Sequence, residues 1–337
     1  MPNNRVAVVA LGGNAISPRG ERDTIPNQFR HTRESLASIV ELIRGGYLLA
    51  ITHGNGPQVG YAMLRVEMAR GKVPELPVGI CVADIAGGMG YMIEQSLQNR
   101  LHREGIRREV ITLVTQVIVD RDDPSMTNPR KYVGAYYSEQ EAGRLMGETG
   151  WKMSPDGKKG WRRVVPSPAP RKIVSAHVIR RMVEEGIIVV TAGGGGVPVC
   201  VEADGTYEGV DGVVDKDRAS AVLGTEIGAS LLVILTEVSR VALNFGKPGQ
   251  VDLDKITAAE ASSYLKEGHF PAGNMGPKIE AAIDFLGHGG DRVVIASIEE
   301  AFEAVEGRAG TQIVPGRPRI AHGIGSSVSR ERTGREE

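Results

Sequence analysis

Uninterrupted apolar runs constrain this chain more than any other feature. VAVVAL (Val6 to Leu11), YLLAIT (Tyr47 to Thr52), VITLVTQVIV (Val110 to Val119), GIIVVT (Gly186 to Thr191), SLLVILT (Ser230 to Thr236) and RVVIAS (Arg292 to Ser297) are apolar on both faces. A strand with one wet face alternates polar and apolar residues; a strand covered on both sides does not. Between the runs lie helical patterns. Leu36, Ile39, Val40 and Ile43 repeat at helical spacing until Gly45-Gly46 stops them, and Pro57 opens another helix. Buried strands alternating with helices predict an α/β fold, a mainly parallel sheet between two helical layers. Ligands of such sheets bind beyond the carboxyl ends of the strands.

Glycine collects at those ends. The chain has 44 glycines in 337 residues, roughly 13% against a usual ~7%. Clusters follow the first strand (Gly12-Gly13-Asn14), the second (HGNGPQVG) and GIIVVT (Gly193 to Gly196). Clustered glycine lets backbone approach a ligand closely. Two familiar glycine motifs do not fit. From Gly54 the spacing is GxGxxxG, with no acidic residue ending a following strand, so a dinucleotide turn is disfavoured. GNMGPK lacks the spacing and the hydroxyl of a P-loop.

Two lysines stand where a helix disfavours them. In GNMGPKIEAAIDFL, Pro277 suits the first helical position and Lys278 follows in the first turn, facing the positive end of the macrodipole. In VVDKDRASAVL, Asp215 suits an N-cap, Lys216 falls in the first turn and Asp217 is beside it. A single such lysine bends into water as readily as it marks a site. Two, with a carboxylate to hold them, point to a clamp for a transferring phosphate.

The segment from Asp120 to Pro170 breaks the rhythm. It is rich in proline, holds both tryptophans (Trp151 and Trp161), and carries a short helical stretch near Ser138 to Met146 and a PDG turn suited to a hairpin. It reads as a small subdomain inserted after a sheet strand. Its basic run around Trp161 is a solvated hairpin rather than a nucleic-acid surface, since the net charge is -1 and no wider basic surface is evident. Only two cysteines, Cys81 and Cys200, fit a reducing compartment and exclude a disulfide framework. The N-terminal apolar run is too short for a signal peptide or membrane span. A cytoplasmic protein with no membrane partner is expected. Residues after Gly316 are polar and charged and are expected to form a mobile tail.

ALGGNA (Ala10 to Ala15), THGNGPQVG (Thr52 to Gly60), DPSMTNPRKYVG (Asp123 to Gly134), RRVVPSPAP (Arg162 to Pro170), GGGGVPV (Gly193 to Val199), DKD (Asp215 to Asp217), LNFGKP (Leu243 to Pro248) and GNMGPKIEA (Gly273 to Ala281) together resemble the carbamate kinases of the amino-acid kinase superfamily. The resemblance runs from Val6 to about Val314. It implies an αβα sandwich with an open, mainly parallel eight-stranded sheet. It implies an N-terminal carbamate lobe (1–205, with the insert at about 120–170), a C-terminal nucleotide lobe (206–315) and the tail (316–337). It also implies a homodimer, Mg2+, and reversible transfer between ATP plus carbamate and ADP plus carbamoyl phosphate.

By the same resemblance, Gly12, Gly13, Asn14, Gly54, Asn55 and Gly56 hold carbamate and the moving phosphoryl group, with Gly194 and Gly195 as more of the same wall. Lys131 is similar to a lysine that the insert lowers over the substrate. Lys216 and Lys278 are similar to the pair that neutralises the phosphoryl group, and Asp217 to the carboxylate that orients them. Thr236, Glu237, Val238, Lys247, Asn274, Met275 and Gly276 sit where such enzymes bind the nucleotide. Ala10 stands where N-acetylglutamate kinases and aspartokinases carry a lysine, so Lys131 replaces that cation. Ala242 departs from the family pattern, which has an aromatic there. His53 is read as a structural or positioning residue, because carbamate needs no strong base. No protein-held metal pair is expected, Asp122 and Asp123 reading as turn residues. The alternatives are a kinase of another small carboxylate or phosphonate, a nucleotide-binding regulator without turnover, and a nicotinamide-dependent oxidoreductase. The last lacks the ribose acid and a placed hydride-site residue. The regulator would not need all four charged residues.

Overall fold

The computed structural model describes residues 5–13, 16–18, 21–271 and 273–316. Its centre is an eight-stranded sheet in the order Lys255–Thr257, Thr311–Val314, Arg292–Ser297, Leu231–Thr236, Val6–Leu11, Leu48–His53, Ile188–Val190, Val110–Thr112. Neighbours from Arg292–Ser297 to Val110–Thr112 are all parallel. The two outermost strands on the other side run the opposite way, Thr311–Val314 pairing antiparallel with Arg292–Ser297. Apolar periodicity located six of these strands; the reversed edge pair escaped it because each is only three or four residues long.

The continuous apolar runs are explained by two cores. Val6, Val8 and Ala10 face one, beneath the helices Ala176–Glu184, Lys216–Glu226 and Met275–Gly287. Ala7, Val9 and Leu11 face the other, beneath Ala37–Arg44 and Val78–Arg103. Val6 to Ala10 are wholly inaccessible to solvent. At about 1.5–3 kcal/mol per fully buried large aliphatic side chain, such strands fix the sheet's register firmly. The fold is the expected αβα sandwich.

One strand differs from its sequence reading. VITLVTQVIV is two strands: Val110–Thr112 ends the main sheet, while Gln116–Val119 belongs to a second sheet with Val197–Val201, Tyr207–Gly209 and Pro170–Ile173. The break is at Thr115. Its buried hydroxyl donates to the Leu113 carbonyl (2.9 Å), meets Thr191 Oγ1 (2.6 Å) and accepts from the Ala192 N–H (3.1 Å). That hydroxyl network turns the chain out of the main sheet, and apolar periodicity carries no sign of it.

Beyond Gln116–Val119 the chain forms a three-stranded antiparallel sheet of Lys131–Tyr137, Trp161–Val165 and Met153–Pro155, with the helix Glu139–Thr149. Ser138 and Glu141 form a capping box for that helix, and Gly150 closes it at φ 69°. The excursion returns through Pro170–Ile173, which pairs antiparallel with Gln116–Val119. Asn14 and the tail after Gly316 lie outside the described residues. Among the described residues no helix is long and apolar enough to cross a membrane.

Thr115→Val is expected to lower unfolding stability by about 1–3 kcal/mol, since it strands a buried hydroxyl and a buried N–H. Denaturant titration reads this, and a loss below about 0.5 kcal/mol would remove Thr115 as the cause of the break.

Candidate phosphoryl-transfer site

Four neighbouring parallel strands, Leu231–Thr236, Val6–Leu11, Leu48–His53 and Ile188–Val190, deliver their following turns to one edge of the sheet. Those turns carry Thr236-Glu237, Gly12-Gly13, Gly54 to Gly56 and Gly193 to Gly196. They crowd each other. A Cβ on Gly54 would lie 3.0 Å from the Gly13 nitrogen and 3.4 Å from Lys216 Cδ. One on Gly12 would lie 3.0 Å from the Leu235 carbonyl oxygen. At Gly194 a Cβ would collide with the Asn55 amide, and at Gly195 with the Val214 carbonyl. Gly194 and Gly195 also have φ of 66° and 94°, so glycine is required there on two counts. Just before them Ala192, buried, holds φ 47°, a strained conformation for a residue with a side chain.

Two helices aim their N-termini at this edge. Asp215 caps Lys216–Glu226, its carboxylate accepting from the N–H groups of Asp217 and Arg218. Lys216 is therefore the first helical residue. The second helix, Met275–Gly287, starts two residues before Pro277, so Lys278 is its fourth residue rather than its second. Gly276 permits that early start by donating to the Pro271 carbonyl (2.9 Å), where a Cβ would press on the same oxygen. The ammonium still ends at the site. Asp217 Oδ1 accepts from Lys216 Nζ at 2.5 Å and Asp217 Oδ2 accepts from Lys278 Nζ at 2.8 Å. All three side chains are about nine-tenths buried or more. Arg218 and Glu280 tie the same two helices together by a second ion pair.

This triad holds two ammonium groups and one carboxylate. Burial works against the Asp217 anion, but Lys216 and Lys278 outweigh it and keep its pKa below the usual carboxylate range. Burial, followed by the charge of Lys278, pulls the Lys216 pKa below the usual lysine range against the attraction of Asp217. The buried group is short of one negative charge, and an anion would supply it.

A cavity of about 560 Å³ opens on the triad, lined in part by Gly12, Gly13, Lys216, Thr236, Glu237, Asn274 and Lys278. Gly54 stands beside Gly13 and Lys216. Asn55 is buried, and its amide Nδ2 has no hydrogen-bond partner among the described residues. Lys131, on the first strand of the inserted sheet, reaches Asp215 at 3.6 Å. Gly56 begins the helix Gly56–Met68. Gly54, Asn55, Gly56, Lys131, Gly194, Gly195 and Gly276 are not among the residues lining that cavity, and neither are Val238, Lys247 and Met275. Lys247 is on the exposed loop of the hairpin Val241–Leu243/Val251–Leu253, Val238 is half-buried, and Met275 packs against the core. His31, Glu34, Ser38 and Glu299 line the cavity without having been legible in the sequence, because nothing in their spacing separates them from ordinary helix and loop residues.

His53 is fully buried. Its Nδ1 lies 3.3 Å from the Gly54 carbonyl oxygen, and a Cβ on Gly193 would collide with its Nε2. Burial lowers its pKa to about 4, with the Lys216 charge acting the same way and the Gly54 carbonyl opposing. It is a neutral wedge between two glycine turns.

A buried, positively charged clamp at the carboxyl edge of a parallel αβα sheet defines a phosphotransferase class, and comparison with known proteins identifies which. The amino acid kinase family matches residues 5–297. The carbamate kinase of Pyrococcus horikoshii is 46% identical over 91% of this chain and 98% of its own length. That of Thermococcus kodakarensis is 47% identical over the same shares. The structure of carbamate kinase from Giardia lamblia bound to AMP-PNP superposes with a TM-score of 0.89 at 37% identity, covering 94% of this chain and all of that one. The chain belongs to the amino acid kinase family, and within it to the carbamate kinases.

A histidine whose pKa is lowered by folding binds its proton less tightly than the unfolded chain does. Between pH 6.5 and about 4 the unfolded state therefore takes up more protons, and stability falls as pH falls. At about 1.4 kcal/mol per unit, His53 contributes roughly 2–3 kcal/mol of that loss. His53→Gln is expected to flatten stability between pH 7 and 4.5, and an unchanged slope in chemical denaturation would show that His53 does not titrate this way.

Proposed function

We propose that the chain catalyses ATP + carbamate ⇌ ADP + carbamoyl phosphate, working mainly toward ATP. The observation that carries this is the Lys216–Asp217–Lys278 triad with its missing negative charge, set among glycine turns. Toward ATP, a β-phosphate oxygen of ADP forms a bond to the phosphorus of carbamoyl phosphate. The bond from phosphorus to the carbamate oxygen breaks, and carbamate leaves with its electron pair. Little covalent work falls to the protein. Lys216 and Lys278 face the equatorial oxygens that gather charge, already oriented by Asp217 and by two helix N-termini. Gly12, Gly13 and Gly56 offer backbone N–H groups to the ligand, joined by Asn14 on the resemblance alone. The Gly54 N–H is already given to the Leu11 carbonyl (3.0 Å), so Gly54 serves by letting Gly13 and Lys216 approach closely. The unpaired Asn55 amide supports an acceptor on the carbamate side, with Gly194 and Gly195 beside it. Thr236, Glu237, Val238, Lys247, Asn274, Met275 and Gly276 take the nucleotide. The AMP-PNP bound by the Giardia lamblia enzyme supports a nucleotide on this sheet.

The acceptor is carbamate rather than an amino-acid derivative because Ala10 is buried in a core, leaving no cation on the first strand, while Lys131 comes from the insert. The segment from about 120 to 170 acts as a lid over an N-terminal carbamate lobe (1–205), with the nucleotide on 206–315. The divalent metal that such kinases use is Mg2+, entering as part of the nucleotide substrate. Both Asp217 oxygens already face ammonium groups, and no cluster of three or more His, Cys, Asp or Glu suited to a metal occurs among the described residues. The nucleotide phosphates are then its main ligands. The active form is a homodimer in the cytoplasm. Tyr61, Leu64 and Met68 on one helix and Ile80 and Tyr91 on its neighbour leave apolar surface exposed, which a second copy would cover; light scattering reads the mass.

Purified protein is expected to form ATP from MgADP and carbamoyl phosphate, and to leave N-acetylglutamate and aspartate untouched with MgATP. Phosphorylation of N-acetylglutamate without ATP formation from carbamoyl phosphate would overturn the acceptor. Lys216→Ala and Lys278→Ala are each expected to lower turnover by about 10²–10³-fold, the scale of losing one preorganised donor. Stability should hold within about 1 kcal/mol, because either change leaves a neutral buried pair rather than a lone ion. Turnover within twofold of the parent would make the lysine a structural residue.

A further inference from the structure

A short stretch of chain, Asp211 to Asp217, leads from the strand Tyr207–Gly209 into the helix that carries Lys216, and the insert grips that stretch. The Val213 N–H donates to the Pro166 carbonyl oxygen at 3.0 Å, and a Cβ on the adjoining Gly212 would press on the same oxygen at 3.0 Å. Arg163 Nη2 reaches Asp211 Oδ2 at 3.3 Å. The other Asp211 oxygen accepts from the Val78 N–H at 2.6 Å, at the start of the helix Val78–Arg103. The Arg163 side chain is only 16% exposed. Its guanidinium lies 4.5 Å from the centre of the Trp151 ring, whose other cationic neighbour is Arg70, 5.2 Å away. Beneath this stack, Val133 and Val165 of the insert are buried with Val59, Val78, Cys81 and Val213.

The same register carries the insert's cation. On the inserted sheet Val133 pairs with Arg163 and Lys131 with Val165. Lys131 in turn reaches Asp215, the residue that caps the helix bearing Lys216 and Asp217. The stretch Asp211 to Asp217 is thus fixed to the insert at its beginning by Arg163, in its middle by Pro166 and near its end by Lys131. Solvation alone would not bury an arginine and aim it at a half-exposed carboxylate. Its placement serves geometry.

We infer that Arg163 and Asp211 are positioning residues that lock the insert to the Lys216–Asp217 turn, so that Lys131 and the phosphoryl clamp are held in one register. The inference rests on the carbamate kinase reading above. Neither side chain touches the reacting atoms. Their action passes through the backbone from Asp211 to Asp217 on one side and through the Lys131–Val165 pairing on the other.

The test compares Arg163→Met and Asp211→Asn with the parent protein, with Lys131→Ala alone and combined with each. With MgADP and carbamoyl phosphate, each single variant is expected to raise the KM for carbamoyl phosphate about tenfold and leave the KM for MgADP within twofold. Lys131→Ala should cost much less in the Arg163→Met background than in the parent, because its placement is already lost. Arg163→Lys, keeping the charge but not the planar stack, should recover part of the loss. Additive losses, or equal rises in both KM values, would make Arg163 an ordinary stabilising residue and overturn the inference. Amide exchange in the ligand-free proteins gives an arm independent of turnover. The amides of residues 211–217 should exchange at least tenfold faster in Arg163→Met while the strand Val6–Leu11 is unchanged. Unchanged exchange at 211–217 would overturn the inference even if activity falls. Absence of ATP formation by the parent would instead refute the proposed reaction, leaving the exchange result to judge the lock.

Discussion

A single buried carboxylate sets the terms for the rest of this structure. Asp217 binds two ammonium groups that come from different helices, and each helix has its N-terminus, not its C-terminus, at the site. Both dipoles oppose the lysines they carry. The arrangement is tolerable because Asp217 neutralises one charge and because Asp215 takes up the Asp217 and Arg218 N–H groups at the start of the first helix. It remains one negative charge short. That net positive charge suits the phosphoryl group of the proposed reaction, and the glycine walls, the helix orientations and the cavity leave room for such an anion at close range.

The sheet supplies the frame for that contact. A parallel sheet brings successive turns to the same edge, and here four adjacent strands do so. No one turn makes the site; Gly12-Gly13, Gly54 and Gly193 to Gly196 interlock so tightly that a methyl group on several of them would strike backbone or the side chain of His53 or Asn55. Such interlocking explains the burial of His53. An imidazole kept neutral fills the gap between two turns without adding a third positive charge beside Lys216.

What was legible in the sequence follows from which forces act locally. Strands buried on both faces write themselves as unbroken apolar runs, and the glycine turns follow because backbone that must pass so close leaves no room for a Cβ. Asp215 before Lys216 is a capping signal, and the cap is there. Most of the misses come from contacts distant in sequence. VITLVTQVIV gives no hint of its break because the cause is Thr115 meeting Thr191 across the fold. The start of the helix before Lys278 depends on the Pro271 carbonyl rather than on Pro277. The strands Lys255–Thr257 and Thr311–Val314 are too short to show a period, and only pairing at the sheet edge defines them. The cavity wall formed by His31, Glu34 and Glu299 is likewise a product of packing, with no local pattern behind it.

The antiparallel stem beneath the insert has a consequence for how the chain reaches its fold. Val110–Thr112 and Ile188–Val190 are direct partners in the main sheet, yet the whole inserted subdomain separates them along the chain. Closing so long a loop in one step carries an entropy penalty that grows with its length, and non-local strand pairing is a slow event in folding. Pairing of Gln116–Val119 with Pro170–Ile173 shortens that loop. Once the stem has zipped, the subdomain becomes a side branch, and the chain that must still be closed is only the short remainder through the helix Ala176–Glu184. A subdomain attached by such a stem can be lengthened, shortened or reshaped without altering the topological difficulty of folding the sheet that carries the chemistry.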